Sequence, residues 1–85
     1  MNGARIRIFV PRVPEFSCLA EAARGMPQCT VRQCPPGYEL VEAQGPIEFG
    51  RKALGLKPAV WYGLFTGGLQ GRITRFDRDL VRIEP

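Results

Sequence analysis

Arg5, Arg7 and Phe9 fall on one side of the segment RIRIFV, and Arg72, Thr74, Phe76 and Arg82 on one side of RITRFDRDLVRIEP, because side chains alternate across a strand. Guanidiniums interleaved with aromatic rings suit anion recognition rather than bond making. If the two segments lie side by side, Arg5, Arg7, Phe9, Arg72, Phe76 and Arg82 form one cationic plane carrying two rings. Such a plane would dock the acidic patch of another protein, since Arg and aromatic residues are enriched at interfaces. Alternatively, it would stack the bases of single-stranded nucleic acid and neutralise its phosphates. The competing expectation is that a helix covers this face, which makes Phe9 and Phe76 ordinary core.

Catalytic chemistry has less to work with. The chain contains no histidine, which removes the commonest general base and any Ser-His or Cys-His nucleophile pair. Glu39, Glu42, Glu48 and Cys34 are what remain for a small enzyme or enzyme subunit, and carboxylates on a hairpin are usually solvated. Cys18, Cys29 and Cys34 supply three sulfurs, but a structural zinc needs a fourth ligand, normally Cys or His. No metal or other cofactor is expected, and the cysteines read as small hydrophobes. A non-enzymatic accessory or regulatory domain, acting on another protein or on a second copy of itself, is the leading expectation.

The glycine-rich stretch TGGLQG, residues 66–71, invites a phosphate-binding interpretation that its context rejects. No glycine precedes a lysine, as a P-loop requires. Gly68 and Gly71 fit the last two positions of the dinucleotide fingerprint, but Thr66 occupies the first, and a hairpin rather than a helix follows. Gly68-Leu69-Gln70-Gly71 matches the GxxG of KH domains in letters only, because that loop joins two helices. Gly67 and Gly68 are therefore expected to stop one element, and Gly71 to admit close packing or a bulge.

Length and composition bound the rest. Eighty-five residues with 45% hydrophobic and 24% charged content suit one globular domain, 1–85, without room for a second core. The net charge of +4, carried by ten Arg and two Lys, raises the local concentration of anionic partners without naming one. Three cysteines and an N-terminus without the apolar core of a secretory signal suggest reduced thiols and a cytoplasmic location. The longest apolar run, around AVWYGLF, is far short of the ~18 to 20 residues that span a bilayer.

The elements follow from periodicity. RIRIFV alternates as a strand with Ile6, Ile8 and Val10 inward. EFSCLAEAARG places Phe16, Leu19, Ala20 and Ala23 at helical spacing, with Gly25 as the stop. CTVRQC and YELVEA read as strands about the turn Pro35-Pro36-Gly37, and Gln44-Gly45 is expected to close a hairpin onto PIEFGR, an edge strand. Residues 58–66 are apolar nearly throughout, so periodicity does not separate helix from strand. Val, Trp, Tyr and Phe favour a strand, whereas Pro58 and Gly67 suit helix ends and tip the expectation to a short helix. At the C-terminus, a loop of Asp77-Arg78-Asp79 pairs Phe76 with Leu80, Ile73 with Ile83 and Arg72 with Glu84, which keeps the aliphatics on one face. The expected class is α+β: an antiparallel or mixed sheet of about four to six strands, one or two helices on one face, and a C-terminal hairpin.

Overall fold

In the computed structural model, residues 5–85 are described; residues 1–4, which open the N-terminal segment considered for a secretory leader, lie outside the described residues. Among the described residues, seven strands and three short α-helices follow one another in α+β fashion: β1 (Ile6–Pro11), α1 (Ser17–Arg24), β2 (Cys29–Cys34), β3 (Tyr38–Ala43), β4 (Ile47–Gly50), α2 (Arg51–Leu54), α3 (Pro58–Trp61), β5 (Leu69–Gln70), β6 (Arg72–Phe76) and β7 (Leu80–Glu84). The strands divide into two antiparallel sheets rather than one. The first has the order β2-β3-β1-β5 and the second β4-β7-β6.

Alternation explains how the sheets meet. Ile6, Ile8 and Val10 of β1 and Val41 and Ala43 of β3 lie in one buried cluster with Ile47 and Phe49 of β4 and Val81 and Ile83 of β7. The two inner faces therefore share one core, as in packed sheets generally, and the outer faces point away from each other. Helix α1 adds Leu19 and Ala23 to that core. Its first turn is entered through a 3-10 turn at Pro14–Phe16, and no side chain caps it. Arg24 in its last turn, where a cation complements the helix dipole, bonds Glu39 of β3 and so ties the helix to the sheet.

Three local expectations are corrected. PIEFGR does not close a hairpin with β3: β4 pairs with β7, Ile47 opposite Ile83 and Phe49 opposite Val81. The long-range pair wins because it buries both apolar sets together in the second sheet. Arg51, read as the last residue of the strand PIEFGR, instead opens helix α2, where it is used structurally. Its guanidinium donates to the Arg78 carbonyl at 2.7 Å and the Leu56 carbonyl at 2.9 Å, and its backbone N–H reaches the Asp79 carbonyl at 2.9 Å. Residues 58–66 settle into one helical turn followed by hydrogen-bonded turns. Pro58 at its start fits because the first turn has no use for a proline N–H.

The third correction concerns the C-terminal hairpin. Arg72 opposes Glu84 and Ile73 opposes Ile83 as the apolar pattern requires, but a bulge at Thr74 shifts the register so that Arg75 opposes Arg82 and Phe76 opposes Val81. An inserted residue turns everything beyond it to the other face. Phe76 therefore moves inward, not outward, and stands 5.6 Å from the Trp61 ring, 5.6 Å from Tyr62 and 5.7 Å from Phe65.

The glycine-rich stretch is a junction between the sheets. The Gly68 carbonyl accepts the Phe9 N–H at 2.9 Å, β5 then adds to the edge of β1, and Gly71, at φ +147°, lets the chain cross into β6. A side chain is disfavoured at that φ.

Candidate binding face of the four-stranded sheet

The six residues expected to form one plane are separated by the two-sheet arrangement. Arg5, Arg7 and Phe9 lie on the outer side of the first sheet, Arg72 and Arg82 on the outer side of the second, and Phe76 is half-buried on the inner side, packed against the core. The two outer faces differ in charge balance. On the second sheet, Arg72 pairs with Glu84, Arg75 with Asp77, and Arg82 with both Glu48 and Glu84. Three guanidiniums meet three carboxylates there, and the surface compensates itself.

The first sheet does not balance in this way. The register sets Arg7 of β1 opposite Glu42 of β3, and Glu42 opposite Thr30 of β2. Two residues along on the same face, Phe9 opposes Leu40, and Leu40 opposes Arg32. Glu42 thus becomes a hub: Arg7 Nε donates to it at 3.0 Å, with Arg32 at 3.4 Å and Arg5 at 3.5 Å. Three guanidiniums share one carboxylate, which leaves two positive charges uncompensated. The Glu42 side chain is 12% exposed, while the Arg5, Arg7 and Arg32 side chains are 46%, 40% and 66% exposed. Partial burial alone would raise the Glu42 carboxyl, but the hydrogen bond and charge from Arg7, the charge of Arg32 and the hydrogen bond from Arg5 outweigh it and hold it below its usual range.

Beside the hub lies an apolar strip. Leu40 is 5% exposed although it faces outward and belongs to no part of the main core. Phe9 is half-buried next to it, and Gly67 and Gly68 lie against Phe9, Pro11 and Tyr38. A shallow cleft of about 370 Å³ opens on the other side, lined by Arg5, Pro27, Gln28, Thr30, Glu42 and Gln44. Arg32 is not visible in the sequence as a member of this group because nothing local links it to Arg5 and Arg7. Alternation within CTVRQC puts it beside Thr30 and Cys34, but the strand order that seats β3 between β2 and β1 is long-range information.

The remaining candidates occupy ordinary places. Glu39 bonds Arg24, and Glu48 bonds Arg82. Cys29 is buried and Cys18 half-buried, and burial pushes both thiols up. Cys34, also half-buried, ends β2 opposite Tyr38. Among the described residues, no three His, Cys, Asp or Glu side chains stand together as a metal site would require, and no polar or charged residue is buried. No helix among them is long and apolar enough to cross a membrane.

Asp77 carries the largest titration shift and yields a pH prediction. The Arg75 hydrogen bond at 2.7 Å and the backbone N–H groups of Asp79 and Leu80 at 2.9 and 3.0 Å lower its carboxyl from 3.8 to about 2. A folded value below the unfolded one adds stability that is complete above the unfolded value and is lost as pH falls through the folded one. Thermal unfolding followed between pH 5 and pH 2 should therefore show a steeper loss of Tm below about pH 4 for the native chain than for Asp77→Asn, which has no such proton to take up.

No family model matches the chain, and no curated protein matches it.

Proposed function

We propose that this chain is a small binding module whose outer four-stranded face captures an acidic segment of a partner protein. The observation that carries the proposal is the shared Glu42 carboxylate, which gathers Arg5, Arg7 and Arg32 while neutralising only one of their three charges. A guanidinium has five N–H donors in a fixed fork, so three of them around one carboxylate retain donors for incoming carboxylates, to which they bond bidentately. Side chains already held in position lose less entropy on binding. The half-buried Phe9 supplies an apolar contact beside the charges, and the overall charge of +4 speeds encounter with an acidic partner.

Two observations favour a protein over single-stranded nucleic acid and over catalysis. Base stacking on this face would rely on successive rings, and the inward turn of Phe76 removes one of the two that the sequence offered. The carboxyls of Glu42, Asp77 and Glu84 are all lowered. That direction keeps surface charges ionised, whereas a general acid at neutral pH needs its carboxyl raised.

The test pairs two variants with opposite expected signs. In fluorescence-anisotropy titrations with a labelled oligoglutamate peptide, Arg32→Gln should weaken binding and Glu42→Gln should tighten it, each by about three- to tenfold. Both effects should shrink as salt rises from about 50 to 300 mM, because exposed charges are screened. Equal affinity of all three proteins for the peptide, or tighter binding of an oligothymidylate of matched charge, contradicts the proposal.

A further inference from the structure

The same sheet carries a second feature, an open edge. β2 is terminal in the order β2-β3-β1-β5, and the direction of its backbone groups follows from the pairing phase. Phe9 donates its N–H away from β3, to Gly68, while Arg12 donates toward Gly37 at the start of β3. In antiparallel strands the N–H and C=O of a residue point the same way, and successive residues alternate. Ile8 and Val10 therefore bond β3; Leu40 and Glu42 turn their backbone groups to β2; and Thr30 and Arg32 answer them. Cys29, Val31 and Gln33 point outward. Cys29 confirms the phase, because its N–H is satisfied by the Met26 carbonyl at 3.1 Å. The Val31 and Gln33 amides and carbonyls have no backbone partner among the described residues.

The opposite side of the sheet lacks such an edge, since β5 and the Gly68 carbonyl cover part of β1. β6, the edge of the second sheet, is interrupted by its bulge, a common way of blunting an edge. β2 runs six residues with neither a bulge nor an interior proline.

We propose that the acidic partner segment is bound as an added fifth strand along β2, hydrogen-bonded to Val31 and Gln33, with its carboxylates beside Arg32 on the outer face and its apolar residues beside Val31 on the inner side. This inference rests on the reading of the outer face given above and specifies how the segment is held. Strand addition of this kind takes affinity from main-chain hydrogen bonds and specificity from alternate side chains. Charge selects the occupant. A second copy of the chain pairing through β2 would join two surfaces, each with three guanidiniums around one carboxylate, and like charges on one sheet repel. A strand alternating acidic and apolar residues matches both sides.

The probe is an acetylated, amidated hexapeptide alternating glutamate and valine, with its lysine–valine counterpart as control. Amide hydrogen exchange is read by NMR on the whole chain with and without saturating peptide. The expected result is an alternate-residue footprint: exchange at Val31 and Gln33 slows at least about tenfold, while Thr30 and Arg32, already bonded to β3, change little. Gln33→Pro removes one outward donor at a position where an edge strand tolerates proline, and should weaken the peptide by about tenfold. If that variant misfolds, the footprint on the native chain still decides. Arginine-dependent binding with unchanged exchange at Val31 and Gln33 overturns strand addition while leaving the binding face intact. Equal protection by the lysine–valine peptide, or concentration-dependent protection without peptide, overturns the choice of occupant. Absence of peptide binding at low salt overturns both the edge and the face.

Discussion

Trp61→Ala is expected to remove about 4–6 kcal/mol of folding stability, a large share of what a chain of this length holds. Trp61 is fully buried, its indole N–H donates to the Asp77 carbonyl at 2.7 Å, and its ring meets Phe76 edge-on at 5.6 Å. Truncating a buried tryptophan costs about 3–5 kcal/mol, and the orphaned carbonyl adds ~1 kcal/mol. A domain of this length holds only about 4–12 kcal/mol in total. Trp61→Phe keeps a ring and loses the hydrogen bond, so it should fall between the two. Urea unfolding followed by far-UV circular dichroism measures all three proteins. A Trp61→Ala midpoint within a few tenths molar of the native one would mean that α3 does not anchor the hairpin to the core.

Gly67→Ala should be the most damaging of the glycine substitutions, for a steric reason independent of backbone angles. A Cβ at Gly67 would collide with the Phe9 carbonyl oxygen and lie 3.0 Å from Pro11 Cδ and 3.1 Å from Tyr38 Cε1. The first of these is backbone in the middle of β1 and cannot step aside, so the loop must lift. Overpacking of this kind costs about 1–3 kcal/mol; with the rigid carbonyl involved, the upper end applies, a fall in Tm of ~10 °C or more. Lifting the loop also frees Phe9 from Gly68, so peptide binding should weaken in parallel. Gly45→Ala is the control, because a methyl group there would have nothing within 4 Å. A drop equal to that of Gly67→Ala would assign the effect to glycine content rather than to the contact with β1.

What was legible in the sequence was local. CTVRQC and YELVEA form β2 and β3 over the expected residues, and RIRIFV forms β1 with Ile6, Ile8 and Val10 inward, because period-2 alternation and the Pro35-Pro36-Gly37 turn are carried by adjacent residues. Pairings across the chain were not legible. Nothing near Ile47 announces Ile83 as its partner, and the choice of two sheets over one follows from burying both apolar sets at once. The bulge at Thr74 was equally hidden. The apolar pattern alone permits Phe76 opposite Leu80, and only the Trp61, Tyr62 and Phe65 cluster on the inner side gives the ring a reason to turn. The candidate face followed the same division. Arg5 and Arg7 were visible by alternation, whereas Arg32 and the hub role of Glu42 depend on β3 lying between β1 and β2.

The difference between the two outer faces also explains why arginine content alone misleads. Within the C-terminal segment Arg72, Arg75, Arg78 and Arg82 outnumber Asp77, Asp79 and Glu84 only until Glu48 arrives from β4 to pair with Arg82. Exposed ion pairs of this kind add little stability, but they neutralise the surface. On the first sheet no second carboxylate among the described residues joins Glu42, and the surplus charge persists.

The most direct measurement is an NMR titration of the arginine side-chain Nε–H signals with the glutamate–valine hexapeptide, at low and high salt. The Arg32 signal should shift most and saturably at low salt, with smaller shifts at Arg5 and Arg7 relayed through the shared Glu42 carboxylate, the shifts should diminish at high salt, and Arg75 and Arg82 should stay in place. Shifts centred on Arg72, Arg75 and Arg82, or no shift at any arginine at low salt, would contradict a binding face built around Glu42.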